Sequence, residues 1–147
     1  MRHWWFAGVI VLATAVSCSG GDETIEVVDA RLGEPTGPNA ALYFTASGGD
    51  RPDRLLGARA AVATEVQIHE TTTDEDGTMS MRPIDGIDIP ADGELVLEPG
   101  GYHLMLVDVE RVEAGDEIDV TLIWENSEEM TIPVDVVAPA DTRSDDA

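Results

Sequence analysis

Hydrophobic and polar positions alternate with a period of two through most of this chain. In "GGYHLMLVDV" (100–109), Tyr102, Leu104 and Leu106 fall on one side, while His103 and Met105 fall on the other. Successive side chains of a β-strand point to opposite faces, so this is the pattern of a strand. "EAGDEIDVTLIWENSEE" repeats it, with Ile118, Val120, Leu122 and Trp124 in phase. The stretch 61–69 is expected to be extended, with Val62, Val66 and Ile68 on one face and Glu65, Gln67 and His69 on the other. Further strands are expected in "TIEVVDARLGEP" (24–35), around Ala41 to Ala46, in "MSMRP", in "ELVLEPGG" and in "MTIPVDVV". Gly, Pro and Asp clusters punctuate them: Gly48-Gly49, the Asp-Gly of the polar loop "TTTDEDGT", and the turn-rich "IDGIDIPADG". No segment keeps a helical period over three turns. Short strands at this spacing predict an all-β chain, an antiparallel β-sandwich or barrel forming a single domain over residues 24–137.

The two ends break the alternation. Residues 1–17 carry Arg2 and then an apolar run of 13 residues from Trp4 to Val16. A membrane-spanning helix needs about 20 residues, so the run reads as the core of a signal peptide. Small residues precede Cys18 in "AVSCSGGDE", as in a bacterial lipobox, in which the cysteine is acylated and becomes the new N-terminus. Ala15 stands where leucine is usual in that motif. Cys18 is the only cysteine, which rules out an intramolecular disulfide; a buried or reactive thiol is the alternative, and its place directly after the apolar run makes lipidation its expected role. Residues 18–23 then form the lipidated Cys and a short flexible tether. Residues 138–147, "APADTRSDDA", are expected to be a disordered acidic tail.

Composition narrows the function. The 147 residues suffice for one domain with a core and are too few for two of ordinary size. Thirty acidic residues against eight arginines and no lysine give a formal charge of −22. Such a chain repels phosphates and has no generic grip on nucleic acid. Beyond the expected signal there are two histidines, His69 and His103, and four methionines, Met79, Met81, Met105 and Met130. No Ser/His/Asp set is apparent, so no enzyme is expected. "TTTDEDGTMS" lacks the spaced acids and terminal glutamate of an EF-hand loop, and reads as a solvated loop.

His103 and Met105 have a bland reading as core residues packed against a second layer. Taken with the other imidazole and thioethers they have another. Thioether sulfur is soft and uncharged and selects Cu(I), and imidazole suits copper as well. A His/Met set also survives an oxidising compartment, where paired cysteines would form a disulfide. A blue-copper site would need a thiolate with two histidines, and Cys18 lies outside the expected domain. Alternation puts Met79 and Met81 on one face, so it does not choose between them.

The spacing of these residues carries a family resemblance. Met81 follows His69 by twelve residues, 21 residues separate Met81 from His103, and His103-Leu104-Met105 completes a His-x-Met. With "MRP", "IP" and "PGGYH" between them, these segments are similar to the periplasmic copper chaperones of the PCu(A)C type, from about Thr24 to Val137. A methionine often follows the first histidine in that family, and Glu70 stands there in this chain. The resemblance implies a cupredoxin-like β-sandwich binding one Cu(I) through His69, Met81, His103 and Met105, with Met79 as runner-up to Met81. The signal-peptide pattern and Cys18 lead to the expectation of an exported protein, lipid-anchored at the outer face of the cytoplasmic membrane. The copper would pass to the dinuclear copper centre of cytochrome c oxidase, on its subunit II, or to another copper carrier. Two alternatives use the same sequence differently: a general envelope copper-buffering or sensing protein, and a non-metal structural sandwich in which these four side chains merely pack.

Overall fold

The computed structural model describes residues 24–142. The expected signal peptide, Cys18, the tether and residues 143–147 lie outside the described residues. Ten strands run in chain order: β1 Glu26–Gly33, β2 Ala40–Ser47, β3 Asp53–Ala60, β4 Glu65–Thr73, β5 Met79–Pro83, β6 Ile87–Ile89, β7 Glu94–Leu97, β8 Tyr102–Val107, β9 Glu117–Trp124 and β10 Met130–Val137. One 3-10 turn, Pro139–Thr142, follows β10. The all-β expectation holds, and the architecture is a β-sandwich.

The strands are hydrogen-bonded in the order β5-β4-β8-β7-β2-β1-β10-β9-β3-β6, with an added β8–β2 pairing. This continuous sheet folds over so that β3 packs on β4 with no ladder between them. Most pairs are antiparallel, but β1 runs parallel to β10, and β7 meets β8 in a short parallel contact. β1 stays paired with β2 on both sides of an irregularity between Val28 and Arg31, where Asp29 takes a φ of 55°. A bulge of this kind bends the strand and increases its local twist.

Alternation explains the core. Leu42 and Phe44 of β2, Leu104 and Leu106 of β8, Val120 and Leu122 of β9, and Val134 of β10 are all fully buried in one hydrophobic cluster. Leu55 of β3 and Ile68 of β4 close it from the facing layer edges. Asp53 is buried at the start of β3. Its carboxylate accepts from the backbone N–H groups of Arg54, Asn126 and Ser127 and from the Ser127 hydroxyl, fastening the β9–β10 loop to β3.

Three expectations need correction. Residues 61–64 are a turn between β3 and β4 rather than part of a strand, so the extended segment begins at Glu65. Two strands, β3 and β6, are not among those expected, and β6 lies in the turn-rich "IDGIDIPADG". The tail does not become irregular at 138: the Thr142 carbonyl accepts a hydrogen bond of 2.8 Å from Arg31 Nε, which docks the 3-10 turn on β1.

Candidate metal centre

Three neighbouring strands, β5, β4 and β8, carry all the expected site residues on one face. In the β4–β8 ladder His69 lies directly opposite His103, and Gln67 opposite Met105. In the β4–β5 hairpin His69 lies opposite Pro83, Thr71 opposite Met81, and Thr73 opposite Met79. Directly opposed residues share a face, as do residues two apart in one strand. His69, His103, Met105, Met81 and Met79 are therefore co-facial, on the side of the sheet away from Leu104 and Leu106. The extended segment expected to end at His69 continues to Thr73, so His69 lies in mid-strand and the site lies on a sheet face.

Local chemistry explains the placement. Asp74 to Thr78 form a tight turn in which Asp74 N donates to Thr78 O and Gly77 takes a φ of 84°. That conformation suits glycine, and it folds β5 back on β4 in register. Arg82 bonds Glu70 Oε2 through Nε at 3.0 Å and through a terminal guanidinium nitrogen at 2.6 Å, pinning the hairpin one residue from His69. On the other flank, Gly100 at φ 88° turns the chain from β7 into β8. The Gly101 carbonyl then accepts from Thr71 N, setting the start of β8 against β4.

The two imidazoles are 5.5 Å apart between ring centroids and inclined at 59°. His103 is 2% exposed and also has Tyr43 of β2 beside it, at 6.2 Å between ring centroids. Burial holds the His103 pKa below the ordinary imidazole value. A hydrogen bond to the Gly101 backbone opposes that shift, and the neighbouring His69 adds to it. His103 is thus a neutral imidazole at neutral pH, the form that ligates metals. His69 Nε2 lies 2.9 Å from Gln67 Oε1. His69 Nδ1 and His103 Nε2 are both buried with no hydrogen-bond partner. A buried polar atom left without a partner is destabilising by about 1–3 kcal/mol, so two on facing rings demand an explanation.

The thioethers differ from the imidazoles in exposure. Met105 is half-buried beside His103, whereas Met81 and Met79 are 62% and 61% exposed. Among the described residues no cluster of three or more His, Cys, Asp or Glu side chains could hold a metal ion. The donor set on this face is two imidazole nitrogens and soft sulfurs, which fits a soft monovalent ion and suits Zn(II), Ca(II) or Mg(II) poorly. Sequence reasoning assigned no role to Gln67 or Tyr43. Alternation did place Gln67 on the His69 face, but Tyr43 arrives through the β2–β8 pairing, which has no local signal.

The fold and this face define a PCuAC-type domain. The copper-bound PCuAC domain from PmoF2 is 30% identical with a TM-score of 0.67, covering 80% of this chain and 96% of that one. The solution structure of apo-DR1885 from Deinococcus radiodurans is 26% identical with a TM-score of 0.60, covering 97% of this chain and all of that one. Residues 24–136 match the family described as "Putative lipoprotein LpqE-like", and the chain belongs to that LpqE-like family. A protein of Leifsonia xyli subsp. xyli described as "Putative lipoprotein Lxx21020" is 35% identical over 102 residues, 69% of this chain. That alignment spans 60% of the length of the Leifsonia protein.

Proposed function

We propose that this protein is an extracytoplasmic copper chaperone that carries one Cu(I) on the outer face of β5, β4 and β8 and passes it to an acceptor. The observation that carries the reading is a pair of facing imidazoles, His103 buried and His69 half-buried, each with a buried unpartnered nitrogen, beside a half-buried and an exposed thioether. His69 and His103 supply the nitrogens, and Met105 and Met81 supply the sulfurs. Imidazole and thioether donors carry no negative charge and leave the +1 charge of Cu(I) intact. The buried His103 side holds the ion, while the exposed Met81 side leaves it open to an incoming ligand. An ion held this way is bound tightly at equilibrium yet is open to ligand exchange, which is what transfer requires.

The copper-bound state of the PmoF2 domain supports the cargo. The lipoprotein descriptions of the family and of the Leifsonia relative support export and a lipid on Cys18, at the outer face of the cytoplasmic membrane. We infer the dinuclear copper centre of cytochrome c oxidase as the acceptor, reached directly or through another carrier.

A competitive Cu(I) titration of residues 19–147 against a chromophoric chelator tests the reading. One equivalent bound is expected. No binding would return the four side chains to a packing role in a structural sandwich. Adding a soluble fragment of oxidase subunit II then separates a chaperone, which gives up its copper to the fragment, from an envelope buffer or sensor, which keeps it.

A further inference from the structure

The two histidines do not offer the same ring nitrogen. His103 has its orphaned atom at Nε2, while His69 has it at Nδ1. The difference at His69 traces to Gln67. Both residues lie on one face of β4, two positions apart, and Gln67 Oε1 sits 2.9 Å from His69 Nε2. Gln67 is itself half-buried opposite Met105, so its amide lies within the site.

Consider the two neutral tautomers. With the proton on Nε2, the ring donates to the Gln67 carbonyl and leaves a lone pair on Nδ1. With the proton on Nδ1, a buried N–H has no acceptor, and Nε2 is satisfied only if the Gln67 amide turns its NH2 inward. A buried donor without an acceptor stays unsatisfied whether or not metal arrives. A buried lone pair is satisfied when the ion binds. We propose that Gln67 is a positioning residue that holds His69 as its Nε2–H tautomer, so that copper meets Nδ1 of His69 and Nε2 of His103. The hydrogen bond of His103 to the Gly101 backbone does the corresponding work on the other ring, leaving its Nε2 free. Outer partners of this kind fix the tautomer and orientation of ligating imidazoles, and their loss commonly weakens metal binding 10- to 100-fold.

The copper half of this inference rests on the proposed function; the tautomer half does not, and the two are measured separately. Long-range 1H–15N correlation spectra of 15N-labelled, metal-free protein near pH 8 report each histidine's tautomer. His69 is expected as Nε2–H and His103 as Nδ1–H. Gln67→Leu removes the acceptor at similar volume, and should erase the Nε2–H preference of His69 and weaken Cu(I) binding about tenfold. Gln67→Glu restores an acceptor-only group and should restore the tautomer. An Nδ1–H tautomer at His69 in the parent, or parental tautomer and affinity in a folded Gln67→Leu protein, would overturn the inference. A parent with the expected tautomers that fails to bind Cu(I) would instead sink the proposed function, and with it the copper half alone.

Discussion

At His103, burial disfavours the protonated imidazole, with the adjacent His69 as a further cause, so its folded pKa lies below the ordinary value of about 6.5. A depressed pKa means that the unfolded chain takes up the proton first as the solution is acidified. The stabilising contribution is therefore present above about pH 6.5 and is lost as pH falls through the folded value. Urea unfolding of metal-free protein at pH 7.5, 6.5 and 5.5 should show the gap between parent and His103→Ala narrowing with acid. A gap that is constant or widens would place a charged imidazole in the folded state. Copper affinity should weaken as pH drops and protons compete for both rings. It should do so less steeply than two ordinary histidines would require, because His103 resists protonation. That His103 lies on the face opposite Leu104 and Leu106 was legible from alternation. Its pairing with His69 was not, since 34 positions separate them in the chain and only a ladder joins them.

Among the elements, the β4–β5 hairpin makes the choice that alternation left open. Met81 is opposite Thr71, one same-face step from the His69 pair, and Met79 is opposite Thr73, a step further out. Each same-face step along a strand is about 6.5–7 Å, long compared with the reach of a thioether to a shared ion. Met81→Leu changes little volume, so it should leave the fold intact while lowering Cu(I) affinity at least tenfold, about 1.4 kcal/mol or more. Met79→Leu should change affinity much less, and His103→Ala should be worse than either. Chelator competition on variants shown to be folded by circular dichroism reads all three, and loss at Met79 in place of Met81 would move the site one step along β5. Much of the hairpin was readable: the Asp-Gly turn and "MSMRP" mark it directly. β3 was harder, because Gly57 and Ala58 interrupt the apolar pattern of "RLLGARA" and the strand is fixed by its register with β9. β6 has three residues in a turn-rich stretch, too few to establish a period, and exists through pairing with β3.

The whole molecule separates holding copper from reaching an acceptor. Every proposed ligand lies between residues 69 and 105, inside a sandwich whose core spans both layers, while the proposed anchor is Cys18. Six residues, 18–23, join that cysteine to the described domain, and a fully extended chain covers at most about 3.6 Å per residue, roughly 20 Å in all. With a lipid on Cys18, a connection of that length would keep the site close to the bilayer surface. The chain's net charge of −22 opposes contact with anionic headgroups, so the proposed lipid, rather than the protein surface, is expected to supply any membrane attachment. One acyl chain binds a bilayer only marginally and several hold firmly, which makes the prediction sharp. Cys18→Ser should move the protein out of the membrane fraction while its Cu(I) affinity stays within about twofold, a difference of roughly 0.4 kcal/mol. Loading of a membrane-embedded acceptor should then slow, because its local supply of copper-carrying domain has been diluted into the whole compartment. Fractionation in high salt, chelator competition and the rate of acceptor loading measure the three effects independently. If the serine variant stays on the membrane through a salt wash, the anchor lies elsewhere; if it leaves and loading proceeds at the parental rate, the acceptor is soluble and a second carrier completes the route.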